Sequence, residues 1–458
     1  MSQSLFQEFE EVSAKEWKQK IQFELKGADY NEKLVYKSRD GINVKPFYNS
    51  EDIFETPKSI SPKNWAICEK VYVVSEEKSN HTAQEVLKKG AESLWFILPS
   101  EKVDFKILFQ DLDLEKVPVY LGLEFLSEKF FKNLNTFLSG KNHQIVPQVD
   151  IVGNLARSGN WYFNLEKDHT ILTAILAGGD PFKSILSVDA TLYQNAGATI
   201  PQELAYSLAH ANEYLNHISN SEKIKKDPEI QFLISEGSNY FFEIAKIRAL
   251  RILYASLTSE YNFQGNCQIL AQPTKRDKTL YDYNVNLLRT TTQSMSAILG
   301  GANTVYNSPY DAVFHKNNEF GDRIARNQLL VLKNESYLDK VSNAAEGSYY
   351  IESLTNQFAG KALEIFKEIE AGGGFLKQLK EGIIQKKISE SAQKEQELFN
   401  NGELVLIGTN KFENPEDRMK NDLELYPFLK MNPRKTLIQP ILERRLAEGM
   451  EQERLKKE

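Results

Sequence analysis

The chain has 458 residues, 41% hydrophobic and 26% charged, with 24 Gly and 15 Pro, which excludes disorder, collagen-like repeats and low complexity and leaves room for a large core. Its formal charge is -7, with Lys and Arg scattered among carboxylates, so the basic stripe that nucleic acid demands is missing. Only Cys68 and Cys267 occur, giving neither a disulfide framework nor a zinc set, and no run approaches the roughly 20 apolar residues of a membrane span; a cytoplasmic chain with no nucleic-acid or membrane partner is expected.

In chain order, residues 1–58 read as an arm or extension. Phe6, Phe9, Val12, Trp17, Ile21 and Leu25 recur mostly at helical spacing before a Lys26-Gly27 stop, and residues 34–36 and 42–48 flank the turn Asp40-Gly41 as in a hairpin. Pro46, Pro57 and Pro62 mark a non-helical connection.

Residues 59–375 alternate short apolar runs with longer helical patterns. The strand candidates are 65–74, 94–98, 117–123, 145–152, 185–188, 231–234, 268–271 and 304–306. Runs such as LWFIL and VPVYLGL lack polar alternation, as strands covered on both faces do. Between them, Tyr240, Ile244, Ile247, Leu250, Leu253, Tyr254 and Leu257 form one helical stripe, and Leu288, Thr291, Met295, Ile298 and Leu299 form another before Gly300-Gly301. A further helix over 351–370 is closed by Gly372-Gly373-Gly374. The order βαβα with no G-x-G-x-x-G predicts a (β/α)8 TIM barrel with an N-terminal extended arm and a C-terminal helical tail. Residues 376–458 form that C-terminal segment, whose end, RRLAEGMEQERLKKE, reads as a solvated helix or a frayed tail.

Generic catalytic motifs are mostly missing. Gly360-Lys361 precedes Ala362 and Gly140-Lys141 precedes Asn142, so neither has the Ser or Thr of a Walker loop. His81, His143, His169, His210, His217 and His315 contain no H-E-x-x-H pair and read as surface or cap residues, with no metal site expected. No G-x-S-x-G elbow occurs, and Cys68 and Cys267 sit in apolar runs as inert buried thiols. Gly178-Gly179 and Gly300-Gly301 read as caps or turns. Arg323 and Arg326, one turn apart, suit an anion clamp, though a helix salt bridge or subunit contact is the commoner use. Tyr193, Lys275, Arg276 and Asp277 fall at strand ends, where any new chemistry of the barrel would be built.

Seven stretches together resemble the methylmalonyl-CoA mutase family. They are GINVKPFY (41–48), NAGATIPQELAYSLAHANEYL (195–215), GSNYFFEIAKIRALR (237–251), VNLLRTTTQSMSAILGGANTVYNSPYDAVF (285–314), FGDRIARNQLLVL (320–332), EGSYYIESLT (346–355) and IGTNKF (407–412). The resemblance implies a barrel that binds acyl-CoA along its axis and a separate domain that carries adenosylcobalamin. Catalytic members have a motif close to G-Y-H-M-Q-E-A-G-A whose His donates to the thioester carbonyl; the matching ATLYQNAGA places Leu192 there. They also have R-T-S-G-W, whose Arg pairs with the substrate carboxylate; counting back from Leu288-Arg289-Thr290 places Gln272 there, a neutral amide without the bidentate ion pair.

The Tyr-rich loop of catalytic members is replaced by TPKSISPKNWAICE, keeping only Trp65 and Ile67, and D-P-W-G-G has become NAAEG at 343–347. None of the six histidines precedes a Gly by three residues, as the cobalamin-ligating D-x-H-x-x-G requires. The resemblance therefore implies a small, non-catalytic subunit without the cobalamin domain, with no catalytic or cofactor-binding residues of its own. Adenosylcobalamin is then expected on a large catalytic partner subunit, this chain giving structural support. A stand-alone acyl-CoA-binding barrel without mutase activity is the alternative.

Overall fold

The computed structural model describes residues 12–52, 62–178, 182–224, 229–263, 267–430 and 433–458, with Glu8 and Glu10. Eight strands form one sheet: β1 (Ala66–Tyr72), β2 (Ser93–Leu98), β3 (Val119–Leu123), β4 (Ile145–Gln148), β5 (Leu186–Asp189), β6 (Ile230–Glu236), β7 (Cys267–Pro273) and β8 (Thr304–Tyr306). Their order is β4-β3-β2-β1-β8-β7-β6-β5, with every neighbouring pair parallel. The remaining gap, between β4 and β5, is bridged by Val149 and Leu186. Val149 donates its N–H to the Ile185 carbonyl at 2.9 Å and accepts from Ser187 at 3.0 Å. Each of the eight expected runs carries one strand, and the sheet curls into the expected α/β barrel. The 145–152 run splits, because Asp150 accepts the Gly153 N–H at 2.7 Å and caps helix Ile151–Ser158.

The apolar runs work because alternate residues enter two different cores. Leu94, Phe96 and Leu98 of β2 face outward with Ile67, Val119 and Leu121, against the surrounding helices. Cys68, Trp95, Tyr120, Leu233 and Leu270 face inward and form a separate cluster on the axis. The outer ring includes Glu76–Lys88, Glu128–Leu138, Ile200–Ser219, Tyr240–Glu260, Val285–Gly300 and Glu319–Asn334. Helix Ile200–Ser219 starts on a capping box between Thr199 and Gln202 with a proline in its first turn. Helix Val285–Gly300 stops where Gly301 takes a left-handed φ of 93°. Helix Tyr349–Ala371 packs across Ile200–Ser219 and Tyr240–Glu260 as a further layer.

The arm contains a helix, Ala14–Glu24, with a Ser13–Glu16 capping box and no buried residue. Trp17 meets Phe47, and Lys18 lies over the Tyr30 ring, but Phe23 is 84% exposed. Phe6, Phe9 and Pro57 of the expected arm lie outside the described residues. The hairpin pairs Tyr36–Lys37 with Asn43–Val44 around Gly41. It is tied to the body by Asp40, which accepts the Ile200 N–H at 2.9 Å, and by an Arg39–Glu395 ion pair.

The C-terminal end departs from the solvated or frayed expectation. Helix Ile383–Asn400 approaches the barrel closely at Gly197, where a β-carbon would stand 2.5 Å from that of Ala392. Beyond it the chain runs back over the barrel, and helix Glu448–Leu455 buries Glu448 and Glu451. Arg445 is 6% exposed; it donates to the Lys278 and Pro427 carbonyls at 2.9 and 3.1 Å and pairs with Glu451 at 2.6 Å. Glu458 accepts from Tyr281, Met419 and Lys420 at 2.7, 3.0 and 2.9 Å. The sequence looked solvated because its charges are many; Arg444, Glu453, Lys456 and Lys457 do stay exposed, but Arg445, Glu448 and Glu451 are buried against the barrel.

Arg445→Met strands Glu451 in a dry site. It is expected to cost about 3–5 kcal/mol, read as a lower urea midpoint, and to expose residues past 400 to limited proteolysis; an unchanged midpoint would show that the C-terminal end is not fastened there.

Candidate functional site

Barrels carry their sites at the C-terminal ends of the strands, and here that end is roofed by the chain's own C-terminal segment. A cavity of about 540 Å³ remains between them. Its lining includes the apolar Leu192, Val313, Phe428, Ile441 and Leu442 and the charged Arg157, Lys275, Arg276 and Glu443.

Below the mouth the axis is filled. Trp95 donates to the Gln148 side chain at 2.8 Å, which donates to Gln231 at 2.6 Å. The Tyr120 and Thr304 hydroxyls are 2.7 Å apart, and the Trp95 and Tyr306 rings meet edge to face. Between those rings lies Lys70, its ammonium 4.2 and 4.3 Å from their centroids. Burial, helped by the Lys275 charge, pulls the Lys70 amine down to about 7. Burial also pushes the Cys68 thiol up to about 12 and the Tyr120 and Tyr306 phenols upward.

Leu192 lies on the short helix Thr191–Asn195 after β5, buried in the wall of the cavity. Gln272 lies near the end of β7, opposite Ser235 of β6, and is buried. Of the four residues named for alternative chemistry, Lys275 and Arg276 line the cavity. Tyr193 is fully buried, bonded to His210, and Asp277 is taken up by Lys278 at 2.5 Å. Arg276 is itself occupied, paired with Glu395 at 2.5 Å and donating to the Arg444 carbonyl at 2.8 Å.

Arg326 forms a salt bridge to Glu69 of β1 at 2.7 Å rather than an anion clamp, and Arg323 lies over the Phe320 ring. In the NAAEG loop, Asn343 accepts from Arg248 at 2.5 Å, and Gly347 donates to Glu352 at 3.0 Å. Trp65 donates to the Leu338 carbonyl at 3.2 Å, while residues 56–61 of the replaced loop lie outside the described residues. Gly178 and Gly301 cap helices; Gly179 lies outside the described residues. Both cysteines are buried. No group of His, Cys, Asp and Glu among the described residues is arranged to hold a metal ion, and no described helix is long and apolar enough to cross a membrane.

Two buried networks escaped the sequence. His210 is neither a surface nor a cap residue: it is fully buried, 2.8 Å from Asp150 and 2.9 Å from the Tyr193 hydroxyl. Burial alone would raise the Asp150 carboxyl, but His210 and Tyr214 hold it below its ordinary range. Behind β6, the Lys246 ammonium is surrounded by Glu243 at 2.5 Å, Glu203 at 3.2 Å and Glu236 at 3.8 Å, all buried. Burial pushes Glu203 up to about 8 and Glu236 well above the carboxylate range against the pull of Lys246. Apart from Glu243 with Lys246 and His210 with Tyr214, each about one turn apart on one helix, the partners come from different elements, so spacing along one helix carried little signal.

A nearly closed ring of eight parallel strands, with its opening at their C-terminal ends, defines the chain as a (β/α)8 barrel protein whose axis is packed with side chains. The family model described as methylmalonyl-CoA mutase matches residues 97–452. A methylmalonyl-CoA mutase small subunit from Porphyromonas gingivalis is 32% identical over 446 residues, covering 90% of this chain and 71% of that one. The methylmalonyl-CoA mutase of Rhizobium meliloti is 27% identical over 90% of this chain and 66% of its own length. For the human mitochondrial enzyme the values are 27%, 87% and 60%. The chain thus spans about two thirds of these relatives, and it belongs to the methylmalonyl-CoA mutase family, a family of isomerases.

The Glu203 environment sets a pH dependence. Unfolded, the group releases its proton near 4.5, whereas folded it holds the proton to about 8, so the folded state binds an extra proton between these values and its advantage is lost as pH rises. Urea unfolding of wild type and Glu203→Gln across this range is expected to show wild type losing stability relative to the variant; a constant difference would contradict it.

Proposed function

We propose that this chain is the non-catalytic small subunit of a heteromeric, adenosylcobalamin-dependent methylmalonyl-CoA mutase, working in the cytoplasm and supporting a large catalytic subunit. The observation that carries the reading is the filled axis. An acyl-CoA threading the barrel would have to displace Trp95, Tyr120, Tyr306 and Lys70, which are bonded or stacked to one another. Dispersing such a cluster forfeits several kcal/mol of packing, about 3–5 for each large aromatic removed.

The mouth supports the same reading. Leu192 presents hydrocarbon where a carbonyl donor would be required, and Gln272 offers no charge to a substrate carboxylate. Adenosylcobalamin supplies the radical chemistry of the family. The described residues here do not fit it: the cavity lining contains no histidine, and segments 425–430 and 441–445 occupy its roof. We assign the cofactor to the partner for that reason. The relative from Porphyromonas gingivalis is itself a small subunit. The cavity favours one other reading, a stand-alone acyl-CoA-binding barrel without mutase activity.

The arm is the proposed docking element, since Phe23 is 84% exposed, and Trp17 39% exposed, on a helix with no fully buried residue. Methylmalonyl-CoA and succinyl-CoA interconversion would be assayed with adenosylcobalamin, using this chain alone, the large subunit alone and their mixture, with gel filtration of each. Turnover confined to samples with the large subunit, together with co-elution, is the expected result; turnover by this chain alone would overturn the proposal, and inactivity without co-elution would favour the stand-alone binder. Removing residues 1–30 is expected to abolish co-elution, and undiminished association would remove the arm from the interface.

A further inference from the structure

The arm carries a second feature besides its exposed rings. Between helix Ala14–Glu24, the hairpin and helix Tyr349–Ala371 lies a cleft of about 730 Å³, lined by Lys15, Lys18, Lys37 and Lys45 around Tyr30 and Phe47. Lys15 and Lys18 stand about one turn apart and share a face of the arm helix, while Lys20 on the same helix does not line the cleft. Lys37 and Lys45 come from the two sides of the hairpin.

These four ammonium groups meet two carboxylates in the lining, Glu51 and Asp52. Asp52 is taken by Lys45. Lys18 rests over the Tyr30 ring at 4.8 Å, a neutral partner that leaves its charge uncompensated. Lys15 and Lys37 are exposed and form no ion pair among the described residues. Of the arm's other carboxylates, Glu16 accepts from the Ser13 N–H at 2.8 Å, Asp29 from that of Glu32 at 2.9 Å and Asp40 from that of Ile200 at 2.9 Å. Neither these nor Glu24 and Glu32 line the cleft. With Glu51 counted, the lining lysines still exceed the carboxylates by two, in a chain whose formal charge is -7. A patch of one sign left uncompensated is complementary to a surface of the other sign.

We propose that this cleft receives an acidic stretch of the large subunit, its carboxylates paired with Lys15, Lys18 and Lys37. The inference rests on the partnership proposed above and adds the chemistry of the contact: the arm is held by charge as well as by Trp17 and Phe23, which continue the same element. Because the lysines are exposed, the attraction reaches into solvent, speeds encounter and is screened by salt. An arm held by its rings alone has the opposite signature, since apolar contacts do not weaken as salt is added.

Calorimetric titration of the intact chain with the large subunit at about 50 and about 500 mM NaCl tests this. The wild-type Kd is expected to rise at least about tenfold between the two. Lys15→Glu combined with Lys37→Glu is expected to raise it by about as much at about 50 mM and to change little at about 500 mM. Lys15→Arg with Lys37→Arg keeps wild-type affinity, and so does Lys20→Glu, which lies outside the lining. Both cleft lysines are exposed and unpaired, so folding is not at stake. Wild-type association that ignores salt, or a loss in Lys20→Glu equal to that of the cleft variant, would overturn the proposal and leave the partnership standing. No association at about 50 mM NaCl would overturn the partnership, and this inference with it. Gel filtration of the chain alone and its titration with inorganic triphosphate address the other occupants. Self-association or triphosphate binding that the Lys15→Glu, Lys37→Glu variant loses would assign the cleft to a second copy or to a small anion, and would likewise overturn the proposal.

Discussion

Everything in this molecule follows from closing a parallel sheet on itself. A strand in a closed ring has one face toward the axis and one toward the helices, so both must be covered and neither is free to be polar. The outward set, Leu94, Phe96, Leu98, Val119 and Leu121, joins the large core under the helices. The inward set can satisfy its polar groups only within a narrow bore, which is why Trp95, Gln148 and Gln231 hydrogen-bond in series, and Tyr120 to Thr304. The same closure leaves a concave face at the C-terminal strand ends, and there the C-terminal segment meets it.

The strands and the long helices were legible because their signals are local. Eight apolar runs and the stripes of Tyr240–Glu260 and Val285–Gly300 need only neighbours in sequence to be read. What was not legible depends on partners far apart in the chain. RRLAEGMEQERLKKE has the composition of a solvated end, but Arg445 finds Lys278, Pro427 and Glu451, and Glu458 finds Tyr281. His210 reads as one polar residue on a helix until Asp150 of another element is placed beside it. Lys246 and its three carboxylates come from helices Ile200–Ser219 and Tyr240–Glu260 and from β6, and no window of sequence contains them all.

The candidate site was legible in part and for a different reason. Leu192 and Gln272 stood out only against a family motif, since a leucine and a glutamine are unremarkable in themselves. Lys70 lies on the axis but within the apolar run 65–74, where nothing in the neighbouring sequence marks it out. Only the register of β1 against β2, which sets Lys70 beside Trp95, and the placement of Tyr306 on the neighbouring β8 show that two rings enclose it.

The bond between β8 and β1 also governs how such a chain can be made. Thr304 pairs with Ala66, and Arg39 with Glu395, so one edge of the first strand, and the hairpin's attachment to the body, wait for their partners until most of the chain has been synthesised. During elongation the growing sheet has two bare edges, each offering unpaired backbone groups to any other extended segment. The late C-terminal segment then arrives on a barrel whose ring has only just shut. For a polypeptide of this topology, protection of the nascent edges is a requirement of biogenesis rather than of the finished fold.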